Sequence, residues 1–278
     1  MNFIKAIIFG IIEGITEWMP ISSTAHMDIL NIFLPLDVSE EFYEVFEVVI
    51  QLGAILALLL LFWKKIFPFG KSNKPLGNGI LSYVKKDRFF LWIKIIIACL
   101  PAIIYELALD DVFTFVTKEN RMTIIGIALI LVGFLFIVVE GLLRGKEAAI
   151  TSTRQITYLQ ALIIGLAQLV AAIFPGVSRS GATIIASLLL GIARTTAVEF
   201  TFELAIPVMA GASLMKLLKY ALPMTFGNII VLVTGCASAF IVSLFMIRFV
   251  LDYIKKNTFT LFGIYRILLG VIVLIFLR

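Results

Sequence analysis

Charged side chains are scarce in this sequence: Asp, Glu, Lys and Arg together make up 15% of 278 residues. A soluble domain carries about a quarter, whereas here hydrophobic residues reach 61% and the mean hydropathy is +1.09. A water-soluble monomer of this length would have too little polar surface to cover its core, and a disordered chain is equally excluded by this composition. A polytopic membrane protein is what remains. Cysteine is nearly absent too. The two that occur, Cys99 and Cys236, lie mid-way along apolar stretches, which argues against a disulfide or a zinc site. A basic leader is also lacking, and the first apolar stretch contains Glu13 and Glu17, so no cleavable signal is expected. The net charge is +5, but the basic residues are concentrated in a few loops, so no nucleic-acid partner is expected.

Six stretches have the roughly 20 residues needed to cross a bilayer: about 45–63, 89–108, 122–140, 198–220, 228–250 and 259–277. Their loops predict the orientation. Residues 64–88 carry Lys64, Lys65, Lys71, Lys74, Lys85, Lys86 and Arg88 against Asp87 alone, and should be cytoplasmic. The loop 107–121, with Asp110, Asp111 and Glu119, should lie outside, and 141–157 and 251–258 inside. Both chain ends then fall outside.

Residues 1–35 and 156–196 fit no span. Each is a pair of short apolar runs broken by a turn, Pro20-Ile21-Ser22-Ser23-Thr24 in one and Pro175-Gly176-Val177-Ser178-Arg179-Ser180-Gly181 in the other. Proline removes a helix donor and restrains the residue before it. Irregular backbone at membrane depth survives only inside protein or beside a wet cavity. Both regions are therefore expected to be re-entrant helix hairpins. They also resemble each other: a shift of 155 residues aligns Ala6, Gly10, Glu13, Pro20 and Ser23 with Ala161, Gly165, Gln168, Pro175 and Ser178, and a shift of 156 aligns Phe46-Glu47 with Phe202-Glu203. The expectation is a single all-α membrane domain over 1–278, with six transmembrane helices and two re-entrant hairpins. It divides into repeats 1–145 and 150–278. Three spans per repeat is an odd number, so the second repeat is inverted and the hairpin tips meet near the midplane.

An ionisable side chain at the membrane centre costs roughly 2.5–3.5 kcal/mol, and the hairpins hold several. Glu13 and Glu17 share a helical face. His26, the only histidine, follows Ser22, Ser23 and Thr24, while Arg179 sits between Ser178 and Ser180, with Thr183 a turn later. Hydroxyl N-caps plus a structural Glu–Arg pair would be the blander explanation, but caps alone do not require four ionisable groups. Each turn opens a new helix whose free N–H groups favour anions, and arginine grips phosphate bidentately. Against a diphosphate of about −2 to −3 and two carboxylates stand Arg179, His26 and two helix ends of about +0.5 each, a shortfall of roughly one to two charges. Mg²⁺ or Ca²⁺ held by Glu13 or Glu17 would correct it.

The run from Glu13 through Glu17, Pro20, Ser22, Ser23 and Thr24 to His26 resembles the first motif of the bacterial undecaprenyl-diphosphate phosphatases, the bacitracin-resistance family. Pro175-Gly176-Val177-Ser178-Arg179-Ser180-Gly181-Ala182-Thr183 resembles their second motif, and the runs 46–51 and 205–207 match as well, so the likeness covers essentially the whole chain. It implies hydrolysis of undecaprenyl diphosphate to the monophosphate carrier of peptidoglycan synthesis. It also implies bacitracin resistance, metal dependence, and a place in the inner membrane with the site open to the outside. A homodimer is an expectation with no residue argument behind it.

For chemistry at the distal phosphorus, Ser23 is the expected nucleophile, with His26 as base and later acid. Glu17 is expected to orient His26 or bind metal, and Ser22, Thr24, Arg179, Ser178, Ser180 and Thr183 to hold phosphate oxygens. In the competing mechanism Glu17 or His26 activates water directly. A polyprenyl-phosphate transporter or flippase is the rival function, because inverted repeats with broken hairpins are the usual design of carriers. The acids and histidine in one repeat and Arg179 in the other favour an enzyme. Lys94, Glu140, Lys216 and Arg248 are read as snorkelling or interfacial groups near span ends. Arg266, within the last span, is expected to pair with Glu47 or Glu203.

Overall fold

Apolar runs of this chain have nowhere to satisfy their backbone in lipid except within themselves, and they fold as helices. The computed structural model describes residues 2–71, 75–108, 115–220 and 223–277. Among these, the bridges Phe69–Val84, Pro75–Lys85 and Ile150–Ile192 are isolated and no strand forms. Lys74, Asp110 and Asp111, which the orientation argument uses, lie outside the described residues.

Two short helices open the chain, α1 (Asn2–Thr16) and α2 (Ser23–Phe33). They are followed by α3 (Glu40–Val49), α4 (Gln51–Ile66), α5 (Lys86–Ala108) and α6 (Lys118–Leu142). A second short pair, α7 (Tyr158–Ile173) and α8 (Arg179–Leu189), precedes α9 (Arg194–Lys219), α10 (Phe226–Ile254) and α11 (Thr260–Phe276). Five elements are long and apolar enough to cross a membrane: Glu40–Ile66, Lys86–Leu107, Lys118–Leu142, Arg194–Lys219 and Phe226–Ile254. The chain is an all-helical, multi-pass membrane protein. The sixth expected span, α11, is apolar but has 17 residues, about 25 Å of helix against a hydrocarbon core of about 30 Å.

Small residues set how closely the short helices approach the long ones. α1 lies along α10, and a Cβ at Gly14 would sit 2.8 Å from the Ala239 carbonyl oxygen, so any side chain there would push the helices apart. α7 lies along α5, and α6 along α11. Between them, Trp18, Phe136, Phe202 and Phe259 join one core cluster, with the Trp18 ring edge-on to Phe202 at 4.9 Å between centroids.

Two charges expected to snorkel are instead buried and partnered. Glu140 accepts from the Arg194 guanidinium and, at 2.9 Å, from the Phe259 backbone N–H, which ties α6 to the starts of α9 and α11. Lys94 donates to the Arg154 carbonyl at 2.7 Å, because the turn at Thr153–Gln155 folds back onto α5. A loop that returns over a span end supplies acceptors that sequence distance conceals.

Candidate active site

Both short pairs break at a proline and restart at a serine. α1 ends at Thr16 and α2 begins at Ser23, while α7 ends at Ile173 and α8 begins at Arg179. Ser22 and Ser178 are the two N-caps, accepting from Ala25 N at 3.4 Å and Gly181 N at 3.2 Å. Their φ angles are 75° and 69°, the only positive values at non-glycine residues among those described. Such a conformation costs about 1–3 kcal/mol and persists where the surroundings over-determine it, typically at functional sites. The matched caps are thus Ser22 and Ser178, which places Ser23 opposite Arg179; Gly176 is the extra residue in the second turn. Only glycine fits there: φ is 90°, and a Cβ would lie 2.8 Å from the Ile125 Cα on α6.

The turns meet over a cavity of about 140 Å³ lined by Glu17, Ser22, Ser23, Thr24, Ser178, Arg179 and Ser180, with Gln51, Met209 and neighbouring apolar side chains. Glu17 is its hub. Its Oε1 accepts from Arg179 Nη2 at 2.5 Å and its Oε2 from the Ser23 hydroxyl at 2.6 Å. One carboxylate therefore links the cation of the second turn to the hydroxyl of the first. The blander expectation of caps and a Glu–Arg pair describes part of this arrangement correctly, yet the Ser23 bond goes beyond it. Arg179 Nη1 is buried without a partner, so the guanidinium keeps donor capacity for an oxyanion. The Ser178 and Ser180 hydroxyls lie 3.1 Å apart beside it.

The structure does not bring His26 to Ser23. The His26 Nδ1 lies 2.7 Å from the Ser22 carbonyl, and Nε2 lies 2.7 Å from the Tyr265 hydroxyl. A carbonyl only accepts, so in the neutral ring Nδ1 carries the proton and Nε2 accepts from tyrosine. Thr183 is likewise turned away. Its hydroxyl donates to carbonyls of its own helix and shares a 2.9 Å hydrogen bond with Thr201. Arg266 pairs with neither Glu47 nor Glu203; it donates to backbone carbonyls of both turns. Glu47 lies 3.8 Å from Arg121, which also binds Asp28, while Glu203 Oε2 is buried without a partner. Tyr265 was not singled out by sequence, since a tyrosine in an apolar span reads as interfacial packing.

Glu13 is wholly buried, neither of its oxygens has a hydrogen-bond partner, and its charged neighbours are Glu17, Glu47 and Arg179. No group of three or more His, Cys, Asp or Glu ligands converges among the described residues. An orphaned carboxylate beside a second one still fits a hard divalent cation. Mg²⁺ in particular is held by one or two carboxylates together with water and substrate phosphates.

Next to the turn residue Val177, an apolar groove of about 620 Å³ runs between α6, α7 and α8. Leu131, Val170, Phe174, Ala182 and Leu189 are among its walls.

Sequence comparison extends over the same elements. The family described as "Bacitracin resistance protein BacA" matches residues 6–272. A protein of Desulfitobacterium hafniense named undecaprenyl-diphosphatase is 51% identical over 276 residues, covering 99% of this chain and 96% of its own. Undecaprenyl-diphosphatase 1 of Clostridium acetobutylicum is 51% identical, with 99% and 97% covered. An undecaprenyl-diphosphatase of Enterococcus faecalis is 48% identical, with the same coverage. Matched from end to end, with the hydroxyls, Glu17 and Arg179 gathered on one cavity, the chain belongs to the bacitracin resistance protein BacA family.

Proposed function

We infer that this protein hydrolyses undecaprenyl diphosphate to undecaprenyl phosphate and inorganic phosphate, returning the lipid carrier to cell-wall synthesis and conferring bacitracin resistance. The observation that carries the reading is the Ser23–Glu17–Arg179 chain of hydrogen bonds in one cavity. A nucleophile needs a proton acceptor within about 2.6–3.2 Å, and the Ser23–Glu17 distance of 2.6 Å meets that requirement. A carrier needs no such pair, so the arrangement favours chemistry over transport.

The Ser23 oxygen attacks the distal phosphorus as Glu17 takes its proton, and the bond from that phosphorus to the bridging oxygen breaks, releasing undecaprenyl phosphate. Glu17 passes that proton to the departing oxygen. Water then attacks the phosphoseryl phosphorus as Glu17 takes its proton. The bond to the Ser23 oxygen breaks, and Glu17 returns the proton to that oxygen as phosphate leaves. Arg179, Ser178 and Ser180 bind the phosphoryl oxygens, aided by the N-termini of α2 and α8. Glu17 replaces His26 as base in this scheme. His26 instead holds the strained Ser22 carbonyl, and Thr183 anchors α8. Glu13 and Glu17 would hold a divalent cation, Mg²⁺ or Ca²⁺, whose contribution is to neutralise phosphoryl charge.

The architecture is read as an inverted repeat of one re-entrant hairpin plus three spans, over 1–145 and 150–278. The matching caps support it, as does a second likeness. The span of the first repeat is interrupted at Ile50, and α9 carries Pro207 one residue past the aligned position. In the inner membrane, with the basic loops inside, the cavity opens to the periplasmic side.

Purified protein is expected to release phosphate from undecaprenyl diphosphate with Mg²⁺ or Ca²⁺, and to lose that activity in excess EDTA and regain it on metal return. No release in any condition would overturn the function. Full release in EDTA would remove the metal alone.

The groove beside Val177 suits the prenyl chain. Filling it with Val170→Trp, at a position 46% exposed, is expected to raise KM for undecaprenyl diphosphate about tenfold, on the order of the cost of overpacking. A short prenyl diphosphate should be turned over as by the wild type. Equal effects on both substrates would exclude the groove as the tail site.

A further inference from the structure

Arg266 is the most deeply buried cation of the described residues, at 0% exposure on α11. Its Nη1 donates to the Pro20 carbonyl at 3.0 Å, and its Nη2 to the carbonyls of Gly176 at 2.7 Å and Val177 at 3.0 Å. It forms no ion pair among the described residues, and Nε has no partner. A Cβ built on Gly181 would come 3.5 Å from Nη1, so the guanidinium also lies against the start of α8. Pro20 precedes Ser22 and Ser23 by two and three residues, while Gly176 and Val177 immediately precede Ser178 and Arg179. One planar group thus spans the two breaks that carry the reacting hydroxyl and the anion-binding residues.

A buried cation without a carboxylate is expensive in a membrane interior, and a structural clamp alone has cheaper solutions. Carbonyls at a helix break need donors, however, and no neutral side chain presents a rigid fork able to reach three of them. We propose that Arg266 is the positioning residue of the reaction. It fixes the Ser23 turn against the Arg179 turn and leaves its charge to be balanced when the diphosphate arrives. This rests on the phosphatase reading above.

Two variants and two measurements test it. Arg266→Lys keeps the charge and loses the fork, whereas Arg266→Gln loses both. By hydrogen exchange of the purified full chain, peptides covering residues 18–24 and 174–180 are expected to gain exchange together in both variants. Turnover should fall at least about a hundredfold, the scale of a misplacement of one ångström. The inhibition constant for inorganic phosphate should rise more in Arg266→Gln than in Arg266→Lys. A loss of folded protein alone would lower apparent kcat and leave KM and that constant unchanged. Unchanged exchange in either turn overturns the clamp, as does turnover within about threefold of wild type. If Arg266→Gln does not fold, Arg266→Lys decides by the same criteria. A wild type that releases no phosphate overturns the reaction instead, and the exchange data still decide the clamp.

Discussion

Glu17→Gln is expected to lower phosphate release by about a thousandfold, within the 10²–10⁴ range of a general base. The amide has nearly the shape of the carboxylate, so the cavity should keep its form, but two bonds change character. The Ser23 hydroxyl, 2.6 Å from Oε2, loses the group that takes its proton, and Arg179, 2.5 Å from Oε1, loses its counter-charge. An arginine stranded at depth costs about 3–5 kcal/mol, so the variant should also unfold at lower temperature in detergent. Adding Arg179→Gln separates the two effects: the double variant should recover thermal stability and remain inactive. Turnover of Glu17→Gln within about tenfold of wild type would exclude Glu17 as the base.

Ser23→Ala is expected to do as much or more, with at least a thousandfold loss, because removing a nucleophile removes the covalent route and leaves only binding and electrostatics. Ser23 is partly buried, and its hydroxyl makes one hydrogen bond, to Glu17. The fold should therefore tolerate the change, and substrate affinity should fall little. Rapid quenching of the wild type with labelled substrate should trap phosphate on the peptide containing Ser23, and the alanine variant should show none. Near-normal turnover of Ser23→Ala would sink the covalent route and leave direct attack by water, for which Glu17 is already in place.

The two helix breaks were legible because proline, glycine and serine interrupt apolar runs too short to cross a bilayer. The expected regions 1–35 and 156–196 contain α1–α2 and α7–α8. Which acceptor meets the Ser23 hydroxyl was not legible. Ser23 and His26 are three residues apart, and proximity in sequence suggests a pair. But Ser23 opens α2, so helical geometry sends His26 back to the carbonyl of Ser22, four residues earlier. Glu17, on the other side of the break, then reaches the hydroxyl. Thr183, expected to hold a phosphate oxygen, follows the same geometry: one turn into α8, its hydroxyl returns to the carbonyls behind it. Helical periodicity decided both cases once the true start of each helix was known.

Arg266 was visible in the sequence as an expensive charge in an apolar span, but its partners were not. A guanidinium seeking carboxylates would pair with Glu47 or Glu203, whereas three carbonyls at two helix breaks satisfy it instead. Those acceptors exist only because the turns meet.

By itself, the scarcity of charge determined that this chain lives in a membrane, and the rarity of ionisable groups in its apolar runs picked out Glu13, Glu17, His26 and Arg179. Both conclusions follow from transfer free energies, which depend on composition and not on contacts. Only the tertiary structure decided which side chains each of them meets. A hydrogen bond requires about 3 Å and a direction. Residues 17, 23, 179 and 266 acquire those where two helix breaks and α11, far apart in the sequence, come together.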